Sequence, residues 1–214
     1  MNVFENRDCM DGMAEFPDNH FDLAIVDPPY GIGADKKNST EKKQSEKSAT
    51  NSKNYGSQKW DNNIPDEKYF NELFRVSKNQ IIWGANYYGL KGGMIFWDKK
   101  VTMPTYSRGE LAYCSMINSV KYYCFQWHGM IQGDMKNKEI RIHPTQKPVE
   151  LYRWILKNYA KPNDKILDTH VGSASSLIAC IDMGFEYVAW EKDADYFKSA
   201  TDRIKTHTDQ GRLF

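Results

Sequence analysis

The sequence predicts an α/β fold, in which a doubly wound and mostly parallel sheet carries helices on both faces. Three observations lead to this prediction. The run 21–26 is apolar almost throughout instead of alternating, which is typical of a strand buried on both faces of a parallel sheet. Residues 165–190 have the pattern of a short strand, a tight loop, a helix and another strand. Helical and extended patterns also alternate between 66 and 97.

The segment Asp27-Pro28-Pro29-Tyr30 directly follows the first of these strands. Open α/β sheets bind ligands at the carboxyl ends of their strands, so chemistry is expected here. Two consecutive prolines hold the surrounding carbonyls rigidly. Asp27 and the Pro28 carbonyl can accept both hydrogens of an exocyclic amine on adenine or cytosine and aim its lone pair at an electrophile. Tyr30 would stack on the base. The alternative is an ordinary turn in which Pro-Pro ends the strand and Asp27 is a cap.

The segment that begins at Lys165 has the pattern of a ligand-binding strand, loop and helix. Gly172, in the loop 168–173, lets a ligand approach the backbone closely, and the following helix offers free N–H groups. The next strand ends at Glu191, at about the 20-residue distance where a carboxylate holds a ribose diol in Rossmann-type sites. The loop lacks G-x-G-x-x-G, which weakens the case for a nicotinamide cofactor. The expected buried stripe of the helix is Leu177, Ile178, Ile181 and Ala174.

Three segments together resemble the S-adenosylmethionine-dependent DNA amino-methyltransferases. They are DPPYGIG at 27–33, HPTQKPVELYRWIL at 143–156 and KILDTHVGSASSLIA at 165–179, in the β-type order, with the catalytic motif before the cofactor loop. The resemblance implies a Rossmann-like methyltransferase sheet, S-adenosyl-L-methionine as cofactor and double-stranded DNA as partner. An Asp at the start of the catalytic motif is more typical of N6-adenine enzymes. The expected reaction is therefore methylation of adenine N6 in DNA, after the base has flipped out of the duplex.

The resemblance also implies roles for individual residues. The family uses a segment like 7–10 to contact the adenine of the cofactor, and Asp8 is the residue expected to do so here. The stretch 145–147 lines the methionine end, where a cation near the carboxylate makes electrostatic sense. Glu191 holds the ribose. The expected catalytic residues are Asp27, Pro28, Pro29 and Tyr30, and the expected cofactor-binding residues are Asp8, Cys9, Thr145, Gln146, Lys147, Asp168, Thr169, Gly172, Ser173 and Glu191.

The cofactor loop departs from the commoner form of the family. Thr169, His170 and Ala174 stand where that form has Pro, Phe and Gly. His170 is expected to pack against the cofactor rather than act as a general base. At Asp8 the alternative is a surface aspartate that begins a helix.

The remaining elements are predicted from periodicity. A helix over 66–77 should turn Tyr69, Phe70, Leu73 and Phe74 inward, and strands should follow at 80–83 and 94–97. The stretch 145–148 should open a helix, with Thr145 as a plausible cap and Pro148 in the first turn. The apolar face of that helix is Val149, Tyr152, Ile155, Leu156 and Tyr159.

Composition indicates one domain over 1–214, since 40% of the residues are hydrophobic and can form a core of useful size. The sequence shows neither a transmembrane span nor a signal peptide, which indicates a cytoplasmic protein. The four cysteines form no C-x-x-C pair and are expected to be reduced thiols. A metal site at Cys114, Cys124, His128 and His143 is conceivable, but no metal is expected.

Two regions and the tail are candidates for contacts with other macromolecules. The polar segment 35–61 has seven lysines against four acidic residues, and we expect a mobile basic loop that closes over the base and touches phosphates. A solvated insertion without a role is the alternative. Residues 99–141 are the expected target-recognition region. The tail 208–214, with Gln210, Leu213 and Phe214, is similar to peptides that dock into bacterial sliding clamps, unless it packs on its own domain or frays.

Other functions remain open at this point. An N4-cytosine methyltransferase would use the same geometry, and an RNA methyltransferase would use the same stacking slot. A non-catalytic DNA-binding relative would keep the fold without the reaction. A monomer and a homodimer are both compatible with the sequence.

Overall fold

A computed structural model describes residues 2–34, 61–103, 107–128 and 131–211 of the chain. The strands in this part of the protein are β1 (Asn2–Asn6), β2 (Leu23–Val26), β3 (Gln80–Trp83), β4 (Gly93–Asp98), β5 (Gly109–Cys114), β6 (Val120–Cys124), β7 (Trp127–His128), β8 (Ile131–Gln132), β9 (Lys165–Asp168) and β10 (Glu186–Glu191). The helices are α1 (Cys9–Met13), α2 (Glu67–Val76), α3 (Ala85–Tyr88), α4 (Val149–Tyr159), α5 (Ser175–Met183) and α6 (Ala194–Gly211).

Eight of these strands form one sheet in the order β1-β10-β9-β2-β3-β5-β4-β6. β1, β10, β9, β2 and β3 run parallel, whereas β5 pairs antiparallel with both of its neighbours. The predicted mostly parallel sheet is confirmed. β2 and β9 come from distant parts of the chain but are neighbours, with Leu23 opposite Ile166. The segments that follow these two strands therefore lie side by side at one edge of the sheet.

Helices cover both faces of the sheet, as the sequence predicts. On β2, Leu23 and Ile25 belong to a buried cluster that includes residues of α4 and α5. Ala24 and Val26 belong to a second buried cluster, which includes residues of α1 and α2. Successive side chains of a strand point to opposite faces. Burial on both faces explains why the run 21–26 shows no alternation of apolar and polar residues.

Helix α2 begins where the sequence predicts, and its predicted inward stripe is correct at Tyr69 and Leu73 but not at Phe74. Asp66 caps it, since its Oδ1 accepts a hydrogen bond of 3.0 Å from the backbone N–H of Tyr69. Tyr69, Leu73 and Val76 are the buried residues. The prediction for Phe74 is wrong, because this side chain is 38% exposed. Phe74 is the neighbour of Leu73 and points about 100° away from it around the helix.

Helix α4 begins later than predicted, at Val149. Pro148 precedes it with an extended backbone, so Thr145 is not its cap. The backbone N–H of Val149 donates instead to Oε1 of Glu139, at 2.9 Å. The predicted apolar face of α4 is buried except for Tyr159, which is half-buried, and Leu151 is buried in addition. In α5 the predicted residues Leu177 and Ile178 are buried, whereas Ile181 is partly exposed.

The predicted strands at 80–83 and 94–97 are confirmed as β3 and β4. The expected basic loop over 35–61 lies outside the described residues, apart from Asp61. Gln210 lies in α6, and Leu213 and Phe214 of the expected clamp-binding tail lie outside the described residues. Among the helices that the structure describes, none has the length and apolar character needed to cross a membrane.

Candidate active site

Two cavities meet at the carboxyl edge of β2 and β9. The tyrosine cavity, of about 650 Å³, has a lining that includes Asp27, Pro28, Pro29, Tyr30, Gly84, Tyr87, Lys99, Glu110 and Lys147. The glycine-loop cavity, of about 510 Å³, has a lining that includes Asp8, Cys9, Tyr152, Thr169, His170, Gly172, Ser173, Glu191 and Tyr196. Both cavities are lined by the same five residues, which we call the shared wall: Asp27, Pro29, Thr145, Gln146 and Lys147.

Sheet order places Asp27 in the shared wall. Asp27 follows β2 directly, and the loop that carries Gly172 follows the neighbouring strand β9. Because the two strands are parallel, the sequence prediction that both segments contribute to one edge of the sheet agrees with the structure. Motifs that are far apart in the sequence therefore line adjacent space.

The Asp27 carboxylate is held on both oxygens. Its Oδ1 accepts a hydrogen bond of 2.6 Å from the Tyr30 hydroxyl, and its Oδ2 forms an ion pair with Nζ of Lys147. Nζ of Lys147 also lies 3.1 Å from Oε2 of Glu110 and 3.0 Å from the Tyr30 hydroxyl. Burial raises the pKa of Asp27, and the ammonium of Lys147 counteracts this effect. The carboxylate therefore depends on one neighbouring cation to stay ionised.

Glu110 is a site residue that the sequence analysis missed. Its Oε1 forms an ion pair with Lys99, and its Oε2 faces Lys147. Burial disfavours the charge of Glu110, but the two ammonium groups outweigh burial and lower its pKa to about 2. Glu110 lies on the antiparallel strand β5, within no recognisable motif. Only its place in a strand next to β3 would have indicated a role.

The structure gives the Lys147 ammonium protein partners that the sequence analysis did not expect. Resemblance suggested a cation for the cofactor carboxylate, but Nζ of this side chain is bound to Asp27, Glu110 and Tyr30. Lys147 is 3% exposed, and the two carboxylates raise its pKa against the lowering effect of burial. Each of the three N–H donors of an ammonium group thus has a protein acceptor.

The short helix α3 fixes the Pro28-Pro29 segment. The Tyr88 hydroxyl is 2.7 Å from the Pro28 carbonyl oxygen and 2.9 Å from that of Pro29, and donates to both. The Pro28 carbonyl, expected to be free for a ligand amine, therefore already accepts one hydrogen bond. A carbonyl oxygen has two lone pairs, so one remains. The signal that could have revealed α3 is the stretch 84–89, rich in Gly and Tyr, directly after a predicted strand.

Tyr30 is packed between α3 and the shared wall. Its ring stacks on Tyr87 with centroids 5.0 Å apart and planes inclined by 18°. A Cβ atom on Gly84 would lie 2.4 Å from the Tyr30 ring, and the φ of Gly84 is +80°, so glycine is required there. Tyr87 covers one face of the Tyr30 ring. A base could stack on that face only after Tyr87 has moved.

The glycine loop is organised by two carboxylates. Gly172 has a φ of +54°, and its N–H donates to Oε2 of Glu191 at 2.8 Å. Oε1 of Glu191 accepts from the Asp193 N–H at 2.9 Å. Asp168 accepts from the His170 N–H at 3.0 Å and from the Ser176 hydroxyl at 2.5 Å. Burial raises the pKa of Asp168 to about 7.

Nine of the ten expected cofactor-binding residues line the glycine-loop cavity, and Asp168 does not. Asp168 is 3% exposed and lies behind the loop that it supports. Asp8 lines the cavity and also caps α1, since its Oδ1 accepts from the Met10 N–H at 2.9 Å. The cap is therefore confirmed, whereas a contact of Asp8 with the cofactor adenine stays a prediction. Lining residues that the predicted set does not contain are His143, Tyr152, His170, Val171, Lys192, Asp193 and Tyr196.

Most ionisable side chains of the glycine-loop cavity other than its carboxylates are neutral or already paired. Burial lowers the pKa of His143 to about 3 and that of His170 to about 4. Burial raises the pKa of the Cys9 thiol to about 12. Lys192 pairs with Asp8 at 2.8 Å. At neutral pH the histidines therefore bring no positive charge into this cavity.

All four cysteines are free thiols, with Cys114 and Cys180 buried. Within the described ranges, no group of three or more His, Cys, Asp or Glu side chains is arranged to hold a metal ion. The Cys114, Cys124, His128 and His143 combination therefore receives no support.

Comparisons with known proteins give the family. A family model described as DNA methylase matches residues 97–202. The type II methyltransferase M2.MboI of Moraxella bovis is 24% identical over 92% of this chain and 85% of its own length. The M1.HpyAVI–SAM complex, at 18% identity, superposes with a TM-score of 0.56 over 95% of this chain and 100% of that one. PvuII DNA methyltransferase, described as cytosine-N4-specific, is 12% identical and superposes with a TM-score of 0.60. The match covers 98% of this chain and 91% of that one.

The solved methyltransferase structures share the fold of this chain, a Rossmann-like sheet that is mostly parallel with helices around it. The chain belongs to the S-adenosylmethionine-dependent DNA amino-methyltransferases.

Proposed function

We propose that the protein transfers a methyl group from S-adenosyl-L-methionine to the exocyclic N6 of adenine in double-stranded DNA. The observation that carries the proposal is the position of Asp27 in the shared wall. An amine acceptor in that position faces both a cavity for a base and a cavity for a cofactor. Methyl transfer between two bound molecules needs this adjacency, because positioning provides much of the rate enhancement.

The residues of the glycine-loop cavity fit S-adenosylmethionine. When bound, this cofactor supplies a methyl group on a positively charged sulfur, which is already an activated electrophile. Glu191 would hold the ribose, and Asp8 and Cys9 would contact the adenine. Gly172 keeps side-chain atoms away from the ligand. The neutral histidines and the buried carboxylates suit a ligand that carries positive charge.

In the tyrosine cavity the protein would hold a flipped base. Flipping costs a few kcal/mol, which stacking and hydrogen bonds in the cavity offset. Asp27 and the Pro28 carbonyl would each accept one hydrogen of the target amine through the lone pairs that Tyr30, Lys147 and Tyr88 leave free. This arrangement would aim the nitrogen lone pair at the methyl group. Tyr30 would stack on the base once Tyr87 has moved.

Adenine is our first choice and cytosine the second. The Asp at position 27 resembles the catalytic motif of N6-adenine enzymes. An N4-cytosine enzyme would use the same acceptors, and a cytosine-N4-specific methyltransferase, PvuII, shares the fold. Both amines present two hydrogens on a planar ring, so Asp27 and Pro28 do not discriminate between them.

Recognition of the DNA sequence is proposed for residues 99–141. Lys99, Glu110 and Arg141 from this region line the tyrosine cavity, so the region lies beside the site of the flipped base. Tyr122 is 60% exposed on β6 and is available for contacts. Clamp binding by the tail is a further proposal, which rests on the sequence Gln210 to Phe214 alone. Equal recovery of a sliding clamp with and without the last five residues would contradict it.

The experiment that tests the function follows labelled methyl groups into nucleic acid. The protein is incubated with methyl-tritiated S-adenosylmethionine and with duplex DNA, single-stranded DNA or RNA, and the product is digested to nucleosides. We expect label in N6-methyl-2′-deoxyadenosine from duplex DNA. Label in N4-methyl-2′-deoxycytidine would establish the second choice, and label only in RNA would overturn the DNA assignment. Cofactor binding without transfer to any substrate would indicate a non-catalytic relative.

A further inference from the structure

A line of alternating charges leads from β4 to the catalytic motif. Lys99 pairs with Glu110, Glu110 with Lys147, and Lys147 with Asp27. The side chains are 17%, 20%, 2% and 18% exposed in the order Lys99, Glu110, Lys147 and Asp27, so Lys147 is the most deeply buried link. Two positive and two negative charges balance. Nothing in the sequence resemblance places Glu110 or Lys99 in this site.

Each N–H donor of the Lys147 ammonium has an acceptor within the protein. Its three acceptors are Asp27, Glu110 and the Tyr30 hydroxyl. Nζ also lies 5.3 Å from the centroid of the Trp83 ring and 5.5 Å from that of Tyr30. An ammonium with three protein acceptors is fixed in one place, and it fixes the oxygen atoms that it binds.

Glu110 is one of the two carboxylates that stabilise the buried Lys147 ammonium. A buried cation is tolerated when opposite charges and hydrogen bonds surround it. Asp27 alone would leave Lys147 free to follow the carboxylate as it moves. Glu110, held on its other oxygen by Lys99, ties the ammonium to the antiparallel strand pair of β4 and β5.

We propose that Lys147 and Glu110 are positioning residues for methyl transfer, with Glu110 orienting the Lys147 ammonium and that ammonium orienting the Asp27 carboxylate toward the target amine. This inference rests on the proposed function, because it assigns a task to Asp27 as amine acceptor. It replaces the expectation that Lys147 binds the cofactor carboxylate. Lys147 would act through Asp27, and Glu110 would act through Lys147.

A double-mutant cycle tests the order of action. Single-turnover methyl transfer and cofactor binding by calorimetry are measured for the wild type, Lys147→Met, Glu110→Gln and the double variant. We expect Lys147→Met to slow transfer by about 100-fold and to change the cofactor Kd by no more than several-fold. Glu110→Gln, a nearly isosteric change that should preserve folding, should slow transfer by about 10-fold. The double variant should be no slower than Lys147→Met alone.

Lys78→Met is the matched control. Lys78 pairs with Asp22 at the opposite end of β2, outside both cavities, and its loss should leave the transfer rate unchanged. A rise in the cofactor Kd of about 100-fold in Lys147→Met, with an unchanged rate at saturating cofactor, would overturn the inference in favour of cofactor binding. Multiplying losses in the double variant would show that Glu110 acts independently of Lys147, which also contradicts it.

A second readout needs neither cofactor nor DNA. The carboxyl carbons of aspartate are labelled with ¹³C, and the Asp27 signal is identified by its absence in Asp27→Asn. Other titratable groups around Asp27 are Tyr30, Tyr69 on α2, Tyr88 on α3, Glu110 on β5, Tyr152 on α4 and Asp168 on β9.

Lys147→Met should raise the titration midpoint of Asp27, since the cation that opposes burial is lost. An unchanged midpoint would contradict the inference. If the wild type transfers no methyl group at all, the proposed function fails, while this titration still decides whether Lys147 controls the carboxylate.

Discussion

The two cavities balance their carboxylates in different ways. In the tyrosine cavity, Asp27 and Glu110 share the ammonium of Lys147. In and behind the wall of the glycine-loop cavity, Glu191 and Asp168 receive hydrogen bonds from backbone N–H groups and a serine hydroxyl. A cavity whose charge the protein already neutralises suits a neutral amine. A carboxylate that has only dipolar donors, as Glu191 has, suits a ligand that brings its own positive charge.

The largest effect is expected at the shared wall. Asp27→Ala should lower single-turnover methyl transfer by at least about 10³-fold, because it removes an acceptor that acts on the reacting nitrogen. The cofactor Kd should change by no more than several-fold. Single-turnover kinetics and calorimetry measure the two quantities. Asp22→Ala, at the start of the same strand, is the control, and substantial turnover in Asp27→Ala would refute the role of this residue.

The opposite pattern is expected for Glu191→Ala. Loss of this carboxylate should raise the cofactor Kd by about 100-fold, through a lost charged hydrogen bond and a loosened glycine loop. Methyl transfer at saturating cofactor should fall by no more than several-fold. Glu186→Ala, at the other end of β10, should change neither quantity. If Glu191→Ala impaired transfer as severely as Asp27→Ala, the division of labour between the cavities would be lost.

Asp168 gives a prediction for stability against pH. Its pKa is raised to about 7 by burial in the folded protein, whereas an unfolded aspartate titrates near 3.9. Between these values the folded state binds the extra proton, so stability falls as the pH rises from about 4 to about 7. Asp168→Asn should remove a fall of ~4 kcal/mol, measured by denaturant unfolding at several pH values. Parallel curves for the two proteins would contradict the account, and the exposed Asp209→Asn should behave as wild type.

Alanine substitutions at the two glycines of the cavities should have the smallest effects, and the two losses of stability should differ in size. Gly84→Ala combines a φ of +80° with a clash against the Tyr30 ring and should destabilise the protein by ~2–3 kcal/mol. At Gly172 an added Cβ would meet only His143, at 3.7 Å or more, so Gly172→Ala should cost ~1 kcal/mol, from backbone strain alone. Thermal unfolding measures both changes, and equal losses would mean that the Tyr30 contact is unimportant.

Much of the glycine-loop cavity could be predicted because its residues lie in continuous motifs. The strand, the loop with Gly172 and the carboxylate at Glu191 follow one another along the chain, and the periodicity of strands and helices shows each of them. Asp27 could be placed for a related reason, since a strand without alternation must be buried and its carboxyl end is where ligands bind.

The other wall of the tyrosine cavity could not be predicted. Glu110 and Tyr88 reach the site because β5 pairs with β3 and α3 follows β3, and sequence periodicity does not give the order of strands in a sheet. The ion pairs of Lys147 with Asp27 and Glu110 were missed for the same reason. A lysine beside a motif suggests a ligand anion, whereas the fold supplies two carboxylates from distant segments.

A structure of the protein with the demethylated cofactor and a duplex carrying the target base would test the central claim most directly. We predict that the cofactor occupies the glycine-loop cavity and the extruded base the tyrosine cavity. The base amine should lie within hydrogen-bonding distance of Asp27, with the cofactor sulfur across the shared wall. A cofactor bound in the tyrosine cavity, or a base amine far from Asp27, would contradict the account.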